Sequence, residues 1–320
     1  MIEMMQDNDT NENGPMGKGE AGCAAKATES MQRPSNLARV SSGTLSAPKS
    51  QLTIGQLERA LLQRFPAADA EEWDRTGLLI GDPARTVTGV ACALDPTVAA
   101  IEAAAAAGAN VLLTHHPAFL TPPTSFKPGA SVAENPGAGV YRAIELGVAL
   151  MNFHTALDVS HEAQAMHPGM LGLTCHGVIE PIAGDETKGY GQLCSLKGET
   201  LTLSQLAARC TSVFGRAPRV WGNLSRDMKR IVTCTGAAGP TVRKSYEAHA
   251  DCLIAGEVKY HDALDFSTAG LCIIELGHDT SELPFAGVLA GAARDAGVPA
   301  DGVIIVGQND NWTHPETMRL

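Results

Sequence analysis

The chain has 320 residues, with 24 Lys and Arg against 35 Asp and Glu, which gives a formal net charge of −11 at pH 7. This acidic balance argues against a nucleic-acid backbone as the main partner, because nucleic-acid-binding domains carry basic patches. The sequence has no apolar run of the roughly 18 residues that a membrane-spanning helix needs, so no membrane partner is expected.

The N-terminal segment 1–50 is rich in polar and small residues and shows no helical or strand period. Because it can bury too little apolar surface to offset the entropy lost on ordering, we predict a disordered tail. It also lacks the apolar core of a signal peptide. Residues 51–320 are long enough for about two domains. We predict one α/β domain formed by 51–165 together with 270–320, and a second formed by 166–269.

The eight cysteines are scattered along the chain and include no C-x-x-C pair. Several of them, such as Cys92, Cys252 and Cys272, lie within apolar runs. This placement favours buried free thiols in a reducing compartment over a disulfide or zinc framework. We therefore expect a cytoplasmic protein.

Helical and strand patterns alternate along the remainder of the chain. Apolar residues at helical spacing, or strong helix formers, predict helices over 54–65, 97–108, 139–147, 202–215, 241–250, 260–270 and 285–297. Short apolar runs predict strands within 85–95, 110–116, 148–154, 191–196, 251–257, 271–278 and 302–307. Such alternation is typical of an α/β fold, with parallel or mixed sheets covered by helices.

Imidazole and carboxylate side chains follow four of the predicted strands, at the ends where ligands of open α/β sheets collect. They are His115 with His116, His154 with Asp158, Glu257 with His261, and His278 with Glu282. In the second and fourth pairs the residues are four positions apart, so one helical turn would place both on one face.

These side chains offer nitrogen and carboxylate oxygen, a mixture that suits Zn, Mn, Fe, Co or Ni. At least five ligands are too many for one tetrahedral ion, but two ions roughly 3.5–4 Å apart would use them all. Neighbouring side chains on a strand point in opposite directions. The adjacent pair His115–His116 therefore suits two ions, with a polar turn as the alternative.

Two glycine-containing motifs are interpreted as turns. CTGAAGP (234–240) matches neither the dinucleotide fingerprint nor the P-loop, so a tight turn that permits close packing is favoured over a phosphate cradle. WDRTGLLIGD (73–82), which contains Asp74, is interpreted in the same way. The isolated histidines are expected to be ordinary surface or core residues; they are His161, His167, His176, His249 and His314.

The motifs NVLLTHHPAF, NFHTALDV, CLIAGEVKYHDAL and IIELGHDTSE occur in an order that resembles the GTP cyclohydrolase 1 type 2 homologue family, also called Nif-three-like. The resemblance spans about residues 51–310. It implies two α/β domains with two divalent metal ions between them, assembled as a ring-shaped homohexamer. The implied metal ligands are His115, His116, Asp158, His278 and Glu282, with His154 as a sixth ligand or a proton relay.

Two functions remain open from the sequence. The resemblance implies a dinuclear metal-dependent hydrolase, similar to a GTP cyclohydrolase or a phosphoesterase, with a nucleotide-like or phosphorylated substrate. The alternative is a non-catalytic protein that stores or delivers metal or serves as a scaffold. Few cations lie near the motifs, which favours a neutral substrate or none; the candidates are Arg75, Lys127, Arg243 and Lys259.

Overall fold

A computed structural model of the protein describes residues 52–308 and residue 312. The predicted tail 1–50 and His314 lie outside the described residues. The helices are α1 (Ile54–Arg64), α2 (Val98–Ala106), α3 (Ala138–Leu146), α4 (Thr155–Asp158), α5 (His161–Leu171), α6 (Leu203–Phe214), α7 (Thr241–Glu247), α8 (Tyr260–Thr268), α9 (His278–Glu282) and α10 (Phe285–Asp295). The strands are β1 (Gly77–Ile80), β2 (Val90–Ala93), β3 (Val111–Thr114), β4 (Ala149–Asn152), β5 (Leu173–Ile182), β6 (Asp185–Leu196), β7 (Leu201–Thr202), β8 (Arg219–Trp221), β9 (Asp227–Met228), β10 (Arg230–Thr233), β11 (Cys252–Ala255), β12 (Cys272–Glu275) and β13 (Val303–Ile305).

The first sheet has five strands in the order β1-β4-β3-β2-β13. Its strands pair in parallel except for the edge strand β1, which is antiparallel to β4. Side chains of alternate strand positions pack on α1 and α10 on one face and on α2 and α3 on the other. Burial on both faces explains why β2, β3 and β4 are continuous apolar runs in the sequence.

The second sheet has six strands in the order β5-β6-β10-β11-β12-β8. Its central strands β10, β11 and β12 are parallel, and the outer pairings are antiparallel. Apolar clusters cover both faces, one beneath α6 and the other beneath α7 and α8. β7 and β9 form a separate two-stranded ribbon. Both sheets are mixed and covered by helices, so the predicted α/β fold class is confirmed.

Several helix ends follow from local chemistry. Thr53 and Gln56 form a capping box at the start of α1, in which each side chain bonds the other residue's backbone N–H. Gly147 ends α3 in the left-handed conformation, with φ 65°, which costs glycine little because it has no Cβ. The chain can therefore turn directly from α3 into β4.

The structure corrects three details of the predicted secondary structure. Residues 77–80 are the edge strand β1 rather than part of a turn. The middle of the chain holds a long hairpin, β5 with β6, in place of short strands. Residues 161–171 form α5, which was not predicted, although Pro168 lies inside it. Strand β12 pairs within the second sheet, so the predicted boundary at residue 270 does not coincide with the edge of that sheet. The division into two domains stays a prediction.

Two properties bear on the class of protein. The seven cysteines within the described residues are free thiols, and six of them are buried. Over the same part of the chain, no helix combines the length and the apolar character needed to cross a membrane.

Candidate metal centre

All six residues singled out as ligands or proton relay come together where the carboxyl ends of β3 and β4 meet the segment that follows β12. Their nitrogen and oxygen atoms form three groups, in each of which the candidate ligand atoms lie within 4.8 Å of one another. The groups are His115, Asp158 and Glu282; His116, His278 and Glu282; and His115, His116 and His154. His261, the remaining histidine of the four strand ends, belongs to none of these groups.

Glu282 divides its two carboxylate oxygens between the first two groups. Its Oε1 lies 3.7 Å from Nε2 of His115, which is also 3.7 Å from Oδ1 of Asp158. Its Oε2 lies 3.1 Å from Nε2 of His116 and 3.1 Å from Nε2 of His278. The adjacent histidines therefore face different oxygens of one carboxylate, in agreement with the divergence expected of neighbours on a strand.

Two short helices bring in the carboxylates. His154 precedes α4, and Asp158 is the last residue of that helix. His278 and Glu282 are the first and last residues of α9, so the four-residue spacing does place both on one face. Gly277, directly before α9, has φ 98°, a conformation that other residues rarely adopt. The chain can consequently leave β12 and enter α9 within two residues.

In each of the four histidines, Nδ1 lies beside an oxygen acceptor. His115 faces the carbonyl oxygen of Phe153 at 3.1 Å. The other three face carboxylates: His116 faces Asp95 at 2.7 Å, His154 faces Asp74 at 3.1 Å, and His278 faces Glu257 at 3.1 Å. Such acceptors fix the ring orientation and the tautomer, and they raise the basicity of the other nitrogen. They leave Nε2 of His115, His116 and His278 directed at the carboxylates of the cluster.

Asp74 and Asp95 face histidines of the candidate centre, a role that the sequence analysis did not assign to them. Asp74, interpreted as part of a turn, accepts hydrogen bonds from the backbone N–H and the hydroxyl of Thr155 as well as facing His154. Burial raises the pKa of Asp74. The hydrogen bonds from His154 and Thr155 lower it by a larger amount, so that the pKa falls to about 2. Asp95 follows β2, and its position at a strand end is the feature of the sequence that could have pointed to it as a residue of the centre.

The burial of the cluster fits a bound cation. Nε2 of His115 is buried and has no hydrogen-bond partner among the described atoms, and the buried Oε2 of Glu282 has no contact of hydrogen-bonding geometry, although two histidine Nε2 atoms lie 3.1 Å away. Buried polar atoms are nearly always satisfied, because leaving one unpaired costs about 1–3 kcal/mol. A divalent metal would satisfy both atoms at once, and imidazole and carboxylate are suitable donors for it. The residues present therefore fit a metal ion.

Gly236, in the predicted tight turn 234–240, lies against the cluster. A Cβ at this position would be 2.2 Å from Oε1 of Glu282, and the backbone has φ 54°. Its N–H donates to the hydroxyl of Ser281, 2.9 Å away, which ties the turn to α9. The turn thus permits close packing, as the motif predicted.

We expect Gly236→Ala to weaken metal binding and to lower the free energy of unfolding. Gly239→Ala is the matched control, because Gly239 has φ 46° but open space around a Cβ, with the nearest atom 4.0 Å away. In both variants the alanine must adopt a left-handed backbone conformation, which costs about 1–2 kcal/mol. In Gly236→Ala the clash with Glu282 adds about 1–3 kcal/mol. Urea unfolding and metal titration would measure both effects. Equal losses of stability and of metal affinity in the two variants would contradict the prediction.

The centre should also respond to pH. Burial lowers the pKa of His116. The carboxylates of Asp95 and Glu282 raise it by a larger amount, so that the pKa reaches about 10. Contact with Glu282 raises the pKa of His278 to about 9 despite its burial. Because both values exceed that of an unfolded histidine, about 6.5, protonation stabilises the metal-free protein below about pH 6.5. That stabilisation is lost as the pH rises through about 9–10.

Metal binding should have the opposite pH dependence, because a metal must displace these protons from the imidazoles. We expect the increase in melting temperature caused by added Co²⁺ to grow between about pH 6.5 and pH 9. Asp95→Asn removes a carboxylate that raises the pKa of His116, so this variant should flatten the dependence. A metal-induced shift that is the same across this range would contradict the assignment of His116 and His278.

Comparison with curated proteins finds relatives called GTP cyclohydrolase 1 type 2 homolog. The one from Campylobacter jejuni is 27% identical over 261 residues, which cover 81% of this chain and 98% of that protein. The one from Clostridium perfringens is 27% identical over 215 residues, which cover 67% of this chain and 80% of that protein. These relatives confirm the resemblance seen in the motifs.

Solved structures share the fold. A hypothetical protein of Staphylococcus aureus aligns with a TM-score of 0.74 and 24% identity, covering 83% of this chain and all of that chain. A Bacillus cereus protein related to NIF3 aligns with a TM-score of 0.74 and 18% identity, covering 84% of this chain and all of that chain. The model of the family Duf34/NIF3 (NGG1p interacting factor 3) matches residues 52–304, and the chain therefore belongs to this family.

Proposed function

We propose that this protein binds two divalent metal ions and is a metal-dependent hydrolase. The division of Glu282 between two groups carries the proposal, because a carboxylate with one oxygen toward each of two sites is suited to bridge a pair of ions. Asp158 and His115 then complete one site, and His116 and His278 the other. The relatives named GTP cyclohydrolase 1 type 2 homolog support hydrolysis as the reaction class.

The chain's own residues have separable roles in this proposal. When bound, two divalent ions supply an activated water and positive charge for a developing oxyanion. Thr235 donates to Oδ1 of Asp158 at 3.0 Å and so orients that carboxylate. His154 is held by Asp74 at Nδ1 and lines an adjoining cavity. It is therefore placed to hold or transfer a proton where a substrate enters.

Metal analysis of protein purified without a metal-affinity tag would test the proposal, followed by hydrolysis assays with GTP and p-nitrophenyl phosphate after the metal is restored. We expect about two ions per chain and turnover, on one of these compounds or on an uncharged amide or nucleoside, that chelation abolishes. Two ions without turnover, on these compounds and on uncharged amides and nucleosides, would instead favour the metal-handling alternative. Absence of bound metal would refute both functions.

We also propose the closed homo-oligomer, a homohexamer, that the resemblance implies. Supporting this, the loop between β3 and α3 exposes three large apolar side chains, Leu120, Phe126 and Val132, and such groups often mark protein contacts. Light scattering at micromolar concentration should give the mass of six chains. A monomer under these conditions would refute the assembly.

A further inference from the structure

A cavity of about 490 Å³ opens on the candidate metal centre beside His154. Its wall includes His154, Asp158, His278 and Glu282 of the centre, and its volume is within the roughly 300–1,000 Å³ typical of small-ligand pockets. Glu282 is almost fully buried, and its Oε2 lies 3.1 Å from Nε2 of His278, which also lines the cavity. A small molecule in this cavity would therefore lie against the centre.

The wall of the cavity also contains an exposed aromatic ring and a carboxylate that accepts hydrogen bonds. Trp73 is 55% exposed, and its ring meets that of His154 edge-on, with centroids 5.8 Å apart. The hydroxyl of Tyr190 donates to Oε1 of Glu71 at 3.2 Å. The backbone N–H of Glu71 donates to the hydroxyl of Thr155, which also anchors Asp74. An indole and a carboxylate are thus held at the entrance to the centre.

Another part of the cavity wall contributes a second carboxylate, that of Glu180. Its Oε2 accepts from the hydroxyl of Thr241 at 3.1 Å, and its Oε1 lies 3.3 Å from Nζ of Lys244. Lys244 is partly exposed and lies behind Glu180, outside the lining of the cavity. What a ligand meets at this wall is therefore the carboxylate.

Carboxylates outnumber Lys and Arg in the linings of both cavities. Four carboxylates line the cavity beside His154, and none of its described lining residues is Lys or Arg. A second cavity of about 540 Å³, on the side of His116, has four further carboxylates and one guanidinium, that of Arg219. Arg219 already binds Glu275 through two contacts of 2.6 Å. Two of the eight are paired with cations outside these linings, Glu180 with Lys244 and Asp279 with Arg216. Glu71, by contrast, contacts Tyr190 and forms no ion pair among the described residues, so a ligand on Trp73 would meet an uncompensated carboxylate there.

We propose that the cavity beside His154 binds a flat, uncharged group rich in N–H donors, with its ring on Trp73 and its donors on Glu71 and Glu180, and that it disfavours phosphate-bearing ligands. Ionised carboxylates can only accept hydrogen bonds, so they bind N–H groups favourably and repel an anion. The inference rests on the proposed hydrolase, for which it supplies the substrate class. It departs from the phosphorylated substrate that the resemblance implies.

Calorimetric titration of the metal-loaded protein with guanosine and with guanosine 5′-monophosphate would test the inference, because these probes differ only by the phosphate. We expect guanosine to bind at least about tenfold more tightly. Trp73→Ala should weaken guanosine binding about 5- to 100-fold, the range of base–aromatic stacking. Glu71→Lys should remove or reverse the preference for guanosine.

Glu72→Lys is the matched control for Glu71→Lys. It makes the same change in charge at the next residue, which is exposed and does not line the cavity, so the preference for guanosine should persist. Tighter binding of the monophosphate by the unmodified protein, equal effects of the two lysine variants, or binding of neither probe would each overturn the inference. Guanosine binding without turnover on any compound would refute only the hydrolase. Hydrolysis of p-nitrophenyl phosphate without guanosine binding would refute only the subsite.

Discussion

Glu282→Gln should abolish metal binding at both of the proposed sites, whereas Asp158→Asn should abolish it at only one. The glutamine keeps the size of the side chain but replaces a carboxylate oxygen with an amide nitrogen that cannot bind a cation. Because Glu282 takes part in both carboxylate-containing groups and Asp158 in one, the two variants should differ in stoichiometry. The metal affinity of each affected site should fall by more than the 10–100-fold loss that follows from mutating an outer-shell partner.

Elemental analysis of the purified variants and the melting temperature with and without added metal would measure this difference. The stabilisation by metal, about 2.7 kcal/mol at a hundredfold excess over Kd, should be nearly absent in Glu282→Gln. His176→Ala is the control, since His176 is exposed and contacts Ser195 away from the centre. Unchanged metal content in Glu282→Gln would refute the dinuclear assignment.

Phe285→Ala should lower the free energy of unfolding of the metal-free protein by about 3–5 kcal/mol, the usual cost of removing a buried phenyl ring. Phe285 is fully buried in the cluster between the first sheet, α1 and α10. Its ring also lies 4.5 Å from that of His115, centroid to centroid. The variant should therefore weaken metal binding as well, because His115 loses the surface that holds its ring in place.

Urea unfolding in the presence of a chelator would separate the stability effect from the metal effect. Leu264→Ala provides the comparison, because Leu264 is 41% exposed on α8 and its truncation should change stability by no more than about 0.5 kcal/mol. A loss below about 1 kcal/mol in Phe285→Ala would show that the core beneath His115 tolerates a cavity. The proposed support of His115 by Phe285 would then be wrong.

The regular elements were predictable because their signals are local. The buried strands β2, β3, β11 and β12 are short apolar runs, and a strand covered on both faces requires this composition. The edge strand β1 was missed because it is only partly buried and lies among turn residues. The hairpin of β5 and β6 was underestimated because long-range pairing extends it beyond its apolar segment.

The donor set of the candidate centre was also predictable, because imidazoles and carboxylates follow the strands whose carboxyl ends hold ligands in α/β folds. The four-residue spacing of His278 and Glu282 correctly indicated one helical face. The pairing of Asp74 and Asp95 with histidine Nδ1 atoms was not predictable, because these aspartates belong to segments far from the histidines that they orient. The position of Asp95 after a strand was a local signal, but it does not tell which histidine the carboxylate faces.

The sequence by itself determined the buried central strands, most of the longer helices and the chemical groups that stand at the strand ends. Only the tertiary structure decided that Glu282 lies between His115 and His116, with one oxygen toward each. The reason is physical: local patterns fix backbone geometry over a few residues, whereas this contact depends on two sheets, formed by distant parts of the chain, meeting at their carboxyl ends. The carboxylates that line each cavity likewise come together only through that meeting, because each cavity draws them from both sides.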